Sequence, residues 1–354
     1  MRIVPFGELG AAELDAWHTL RAANPALDSP YFHPGFAAAV HAAGRTVQVA
    51  VATGGATSGG EHGRTGGAIA GAGGGVVALV AYHREGRLLR PVGWPAADFQ
   101  GPVLAAGTGF RPLELLRGGA TGYAFDHLVD QAPGFEPWVV SRRPSPYLDV
   151  TGGLAGYLGR ASKSGKDNMG QARRRAAKAE REHGAVRFVA DSADPEALAR
   201  VIALKRAQYA ATGARDYFAE PDRARLLESL LLTRDGSFGG VLSTLHAGPR
   251  LLAAHFGLRA GGVLHWWFPV YDPEFARLSP GWILLRELVG AAPALGISRI
   301  DLGRGEDEYK RRAKTGQTQV GQGLVTRNPV RRAAAAAMVH ARAILRDVRT
   351  RTQP

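Results

Sequence analysis

The sequence predicts an α/β protein with mixed sheets, folded as two domains. Three observations predict it. The chain has 354 residues, and domains commonly run to roughly 100–200. Short apolar runs with strand-like alternation are interleaved with segments of helical period. In the second half they follow the order β–α–α–β–β–β–α–β–(α)–β, so three meandering strands precede a helix and a strand that must cross back. The one-strand, one-helix alternation of barrels and dinucleotide-binding folds is absent. A hydrophobic content of 45% is enough for real cores.

The elements follow in order. Residues 8–23 read as a helix, with apolar positions at Leu9, Ala12, Leu14, Trp17 and Leu20. A Pro-punctuated loop leads to a short helix from Gly35 to Gly44. "TVQVAVAT" alternates as a strand does. The stretch 54–75 is almost all Gly, Ala, Ser and Thr; it cannot repay its ordering entropy by burial and reads as a mobile hairpin loop. Two strands follow, joined at Arg84-Glu85-Gly86, then a helix near 109–118 and strands at "AFDHLVD" and "PWVVSRRPSPYLDV". Residues 154–183 read as one long helix or a helix pair, ended by Gly184. "AVRFVAD" is a strand. A helix starts at Asp194, with Pro195 at its first position, and "PDRARLLESLLLTRD" is another. Three strands, "GGVLSTLHAG", "RLLAAHFGLRAG" and "GVLHWWFPVYD", are divided by Gly-containing turns. The helix "LSPGWILLRELVGAAPALG", the strands "ISRIDLG" and "QVGQGLVTR", and a basic, alanine-rich helix over Arg331–Arg349 complete the chain. This is the core order of the acetyltransferase-type α/β fold. A shorter version of it in the first half gives domains 1–150 and 151–328, with a basic tail 329–354.

Composition narrows the chemistry. There are no cysteines, which excludes disulfides, thiolate metal sites and a Cys nucleophile. The 11 histidines are scattered without metal-ligand spacing, so no metal is expected. The glycines of 54–75 are no nucleotide fingerprint, because no Lys-Ser/Thr follows them. Neither a signal peptide nor a long apolar run is seen, so the expectation is a soluble, cytoplasmic protein. Net charge is +13, concentrated at 173–181, 309–314 and beyond Arg327. Such clusters suit phosphates, nucleic acid or an anionic membrane surface; solvated helix faces are the plain alternative.

The candidate site residues cluster in the second half. Ser279 is placed to cap a helix, with Pro280 at its first position, Gly281 permitting close backbone approach and Trp282 next. A helix start after a strand is a ready anion site. Trp266 and Trp267 must point to opposite faces of their strand, so one can line a cleft while the other packs a core. His255 has the right ordinary pKa for a base if it faces that cleft. Lys205, Gln208 and Tyr209 share one helix face and can hold an acidic or sugar substrate, or simply be solvated. At the carboxyl end of "ISRIDLG" emerge Asp301, Arg304, Glu306 and Asp307, with Tyr309 and Lys310 one turn on. Carboxylates beside such cations can act as base and electrostatic clamp, or form a salt-bridged turn.

The motifs "SPYFHPGF", "RPVGWPAADFQGPV", "FDHL" and "SPYLDV" resemble the N-terminal half of CelD/BcsL-like cellulose-biosynthesis proteins of the GNAT acetyltransferase superfamily. "LKRAQYAATGARDYF", "HWWFPVYDPEFARLSPGWILL" and "GISRIDLGRGEDEYKRR" resemble their C-terminal half. The resemblance runs in order over about 29–327. It implies tandem GNAT-like acyltransferase domains, related to Fem peptidyltransferases, and acyl transfer to an amine from acetyl-CoA or another acyl-CoA. The Ser279–Trp282 junction would then hold the coenzyme A pyrophosphate, although "ARLSPG" departs from the usual glycine-rich, arginine-led loop. Tyr309-Lys310 matches an aromatic-Lys pair of the Fem relatives, so Lys310 would stabilise an oxyanion or substrate phosphate. Asp301 or Glu306 would be the base, and Tyr309 or Tyr271 the acid. Arg304, His255, Trp266, Lys205, Gln208 and Tyr209 would face the acceptor. The acceptor implied is an amino-sugar or related precursor of an envelope polysaccharide. Aminoacyl-tRNA is the alternative donor, as in the Fem branch. A non-catalytic accessory role at a polysaccharide synthase, held peripherally at the inner membrane by the tail, is the third possibility.

Overall fold

The computed structural model describes residues 1–54, 74–233 and 235–352, the side chains of 342–352 excepted, so the hairpin loop expected at 54–75 lies almost wholly outside it. Two compact units share the chain: Met1–Leu27, Thr46–Ser141 and Gly321–Pro354 form one, Asp28–Arg45 and Arg142–Val320 the other. Neither is a continuous stretch, which a linear cut near residue 150 does not capture. Both are mixed α/β.

The first unit carries β1 (Arg2–Pro5), α1 (Ala11–Ala22), β2 (Gln48–Thr53), β3 (Val76–Glu85), β4 (Leu88–Pro91), β5 (Val103–Leu104) and β6 (Gly122–Val129). Its strands lie in the order β1-β2-β3-β4-β6, with β5 on β3. Pairing is antiparallel except β4 with β6. Trp17, Tyr82, Phe125 and Phe135 are buried in its core. The helix expected at 109–118 is only a short 3-10 turn, Pro112–Leu115. Leu116 leaves the helical region, and Gly118 and Gly119 take left-handed φ of 57° and 78°, which stop propagation. β1 and β5, too short to show a period, were not foreseen.

The second unit contains α2 (Pro34–Ala42), most of β7 (Val139–Asp149), α3 (Gly153–Arg160), α4 (Lys163–His183), β8 (Val186–Val189), α5 (Pro195–Thr212), α6 (Pro221–Leu232), β9 (Phe238–Ala247), β10 (Arg250–Ala260), β11 (Val263–Tyr271), α7 (Pro280–Ala291), β12 (Arg299–Asp301) and α8 (Glu308–Ala313). The 154–183 segment is thus the helix pair, broken where Ser162 caps α4 by accepting from the Gly165 N–H at 3.2 Å. β13 (Gly316–Val325) leads back to the first unit, followed by α9 (Pro329–Thr352). The tail is anchored at its start: Arg331 donates to the Thr121 hydroxyl at 2.6 Å, and the Arg332 guanidinium lies 5.1 Å from the Trp138 ring centre.

Sheet order in the second unit is β7-β12-β11-β10-β9-β8. β9, β10 and β11 form the expected antiparallel meander; β12 returns parallel to β11 and antiparallel to β7. The core lies between this sheet and α3, α4 and α7, with Leu245, Leu264, Leu284, Leu288 and Ile300 fully buried. Two features shape the site. β12 pairs with β11 only at Val263–His265, while β11 runs on to Tyr271. The β10–β11 register also slips between Phe256 and Leu258, which face Phe268 and His265, so β11 carries an extra residue at Trp266-Trp267. The strands therefore part beyond Trp266, leaving a wedge.

Candidate active site

A cavity of about 630 Å³ fills this wedge. One wall is β11, with Trp266, Pro269, Val270 and Tyr271. α7 gives its first turns, Pro280 to Leu285, preceded by Ala276 and Ser279. α5 adds Lys205 and Gln208, and the loop between β12 and α8 adds Asp307, with Tyr309 at the start of α8. The volume suits a small-molecule site.

The α7 end departs from a simple cap. Ser279 stands at the capping position, but its backbone is left-handed (φ 47°, ψ 55°) and its side chain makes no capping bond. It is the only non-glycine with positive φ among the described residues. Such a conformation costs on the order of 1–3 kcal/mol and clusters at functional sites. The Trp282 N–H turns back to the Ser279 carbonyl at 3.0 Å, and Pro280 has no N–H to give. A Cβ at Gly281 would meet nothing within 4 Å, so the backbone there stands open. The free end of a 12-residue helix thus faces the cavity, with the apolar Trp266, Trp282, Leu284 and Leu285 beside it. A pyrophosphate at that helix end and an acyl-pantetheine arm along the apolar wall fit these residues, so coenzyme A suits the cradle.

Lys205 is half-buried and donates to Gln208 Oε1 at 3.1 Å and to the Pro269 carbonyl at 3.3 Å. Burial, and then the nearby positive Lys310, lower its pKa to about 8. Tyr209 lies under the ammonium, 5.7 Å away at its ring centre, but does not line the cavity. Burial, with Tyr217 and Asp216 behind it, pushes the Tyr209 phenol up to about 12.

Several expected residues stand elsewhere. Asp301 is buried and fully engaged: Arg299 donates to its two oxygens at 2.9 and 3.2 Å, and to both oxygens of Asp28 at 2.6 Å. Burial raises the Asp301 pKa against the pull of Arg299. Through Arg299, which ties Asp28 to the sheet of its own unit, this carboxylate is committed to structure, and it is absent from the cavity wall. Lys310 is also committed. Its Nζ donates to the Arg304 carbonyl at 3.0 Å and the Gly303 carbonyl at 3.4 Å, and pairs with Asp307 at 3.5 Å. It braces the turn that Gly303 and Gly305 permit with φ of 73° and 133°. Glu306 is exposed and Arg304 half-buried; neither lines the cavity. His255 lies behind the wall, stacked on Trp266 at 4.0 Å, and burial lowers its pKa to about 3. It is a neutral packing residue. Trp267 faces the other way, onto Tyr31 and Phe36.

The cavity therefore unites Ser279, Gly281, Trp282, Lys205, Gln208, Trp266, Tyr271 and Tyr309. The apolar floor, Leu284 and Leu285, was missed; its signal is the spacing of three and four residues from Gly281 on one helix face. Among the described residues no group of His, Asp or Glu could hold a metal ion, and no helix is long and apolar enough to cross a membrane.

Residues 166–311 match an acetyltransferase (GNAT) domain model, a span that holds every cavity residue. Among solved structures, a C-terminal domain described as that of a lysylphosphatidylglycerol synthetase from Agrobacterium fabrum superimposes with a TM-score of 0.53 at 14% identity, covering 95% of this chain and 97% of that one. FemX superimposes with a TM-score of 0.57 at 9% identity, covering 92% and 96%. At these identities the likeness is one of fold. A comparison with curated proteins finds no match.

Proposed function

We propose that the chain is an N-acyltransferase, moving an acyl group from an acyl-CoA thioester to an amine held in the second unit's cavity. The observation carrying this is the open α7 end beside an apolar wedge, with Lys205, Asp307, Tyr271 and Tyr309 on the facing walls. Coenzyme A would supply an activated thioester. The α7 end, with its open backbone at Gly281, would hold its phosphates; Trp266, Trp282 and Leu285 would line its arm and exclude water. Tyr309 and Tyr271 would orient the acceptor and deliver a proton to the departing sulfur. An amino-sugar or related envelope-polysaccharide precursor is the acceptor class we assign, following the CelD/BcsL-like motifs.

Release of free coenzyme A, followed over a panel of amino sugars and amino acids, tests this. Gly281→Leu should leave the thermal midpoint near wild type, since a Cβ there is unopposed, and should weaken acetyl-CoA binding at least tenfold. Equal binding in both proteins would remove the α7 end from the site.

A second reading takes aminoacyl-tRNA as donor. The exposed Arg173, Arg174, Lys178 and Arg181 on α4 favour it. It requires tRNA binding that weakens steeply with salt; no binding at low salt would end it.

A further inference from the structure

We propose that Lys205 is the catalytic base of the transfer, taking the proton that the acceptor nitrogen loses. The assignment rests on the acyl-transfer reading. A neutral lysine has two N–H bonds and one lone pair. Here two acceptors, Gln208 Oε1 and the Pro269 carbonyl, stand 3.1 and 3.3 Å from Nζ. They can hold both N–H bonds of the neutral amine and leave the lone pair for the cavity that Lys205 lines. Lys310 is the opposite case. Two carbonyls and the Asp307 carboxylate surround its Nζ, a set that suits all three protons of an ammonium. Lys310 thus has three partners at its Nζ, whereas Lys205 has two and an open side toward the cavity.

The surroundings favour the neutral form of Lys205. Tyr209 on its own helix and Lys310 beyond β12 act on it, and the cavity it lines also holds Tyr271 on β11 and Asp307 and Tyr309 beyond β12. On the segments packed against α5, Asp216 is paired with Arg206, Arg223 lies over Tyr217, and His255 on β10 is stacked on Trp266. Burial and the Lys310 charge set the Lys205 pKa to about 8, where a base works well near neutral pH. In the reaction the acceptor nitrogen forms a bond to the acyl carbon and the carbon–sulfur bond breaks, its electron pair leaving with sulfur. Lys205 takes the proton from nitrogen, Tyr309 or Tyr271 gives one to that sulfur, and the lysine then returns its proton to the tyrosine, so a thioester and an amine give an amide and a thiol. Lys310 acts here as a positioning residue, through its charge on Lys205.

Two readouts test this. Competitive acetylation of the ligand-free protein with trace acetic anhydride, read by mass spectrometry across pH, should show Lys205 half-reactive near pH 8. Lys310→Met should move that midpoint upward. In steady-state assays, kcat of wild type should rise with pH to a plateau above about 8. Lys205→Met and Lys205→Arg should each lower kcat by roughly 10²–10⁴ fold, because arginine keeps the charge but cannot accept a proton. Arginine restoring wild-type kcat, or Lys205 titrating together with the exposed lysines, overturns the proposal while the acyl-transfer reading stands. A wild type that turns over no thioester with any amine overturns that reading and the Lys205 role with it.

Discussion

Arg299→Met should destabilise the second unit by about 3–5 kcal/mol at pH 7, the usual cost of leaving one partner of a buried ion pair behind. The magnitude follows from the geometry. Asp301 has 4% of its side-chain surface exposed and receives two bonds from Arg299, at 2.9 and 3.2 Å. Asp28 is 38% exposed, so its two bonds are screened by water and add at most about 1 kcal/mol. Asp301 can escape part of the penalty by taking a proton. From an ordinary pKa near 3.9, protonation at pH 7 costs about 4 kcal/mol, at 1.36 kcal/mol per unit, which caps the loss for that carboxylate. The sign with pH follows. Burial already raises the Asp301 pKa, and removing Arg299 raises it further. The variant then binds a proton more readily when folded than wild type does, so its deficit narrows as pH falls from 7 toward 5. Denaturant unfolding of both proteins at pH 7 and pH 5 measures this. Asp301→Asn added to Arg299→Met should recover most of the loss. A deficit below about 1 kcal/mol at pH 7, or one that does not change with pH, would refute the reasoning.

Two further predictions concern the cavity wall. Burial lowers the His255 pKa from 6.5 to about 3, so the folded protein resists protonation there while the unfolded chain does not. Stability is therefore retained above pH 6.5 and falls by up to about 1.4 kcal/mol per pH unit as pH drops toward 3. His255→Phe should flatten that acid limb in thermal melts taken from pH 7 to 4. Trp266→Ala removes the ring that stacks on His255 at 4.0 Å and lines the cavity. It should cost about 3–5 kcal/mol of stability and weaken acyl-CoA binding together, measured by denaturation and calorimetry.

Much of this site can be read from the chain, and the remainder depends on contacts distant in sequence. The three-residue spacing of Lys205 and Gln208 places them together, and the structure joins them by a hydrogen bond of 3.1 Å. The Asp194 cap is equally local: its carboxylate accepts from the Glu196 N–H at 2.8 Å. Arg299 and Asp301 are two apart in a strand and so share a face, a clue to their pairing. The third member, Asp28, lies 271 residues away and leaves no local trace. The left-handed Ser279 hides behind a sequence that reads as an ordinary Ser-Pro helix start, because no residue type beside it signals a positive φ. Lys310 misleads for a related reason. Its position beside Tyr309 at a strand end suggests chemistry, but Gly303 and Gly305 fold the loop back so that its own carbonyls capture the ammonium.

The account turns on whether the cavity at the α7 end takes an acyl-CoA. Calorimetric titration of the purified chain with acetyl-CoA, beside Gly281→Leu, tests that most directly. Saturable binding with one site per chain, weakened at least tenfold in the variant, is the predicted result. No heat of binding for wild type, or equal binding by both proteins, would contradict it.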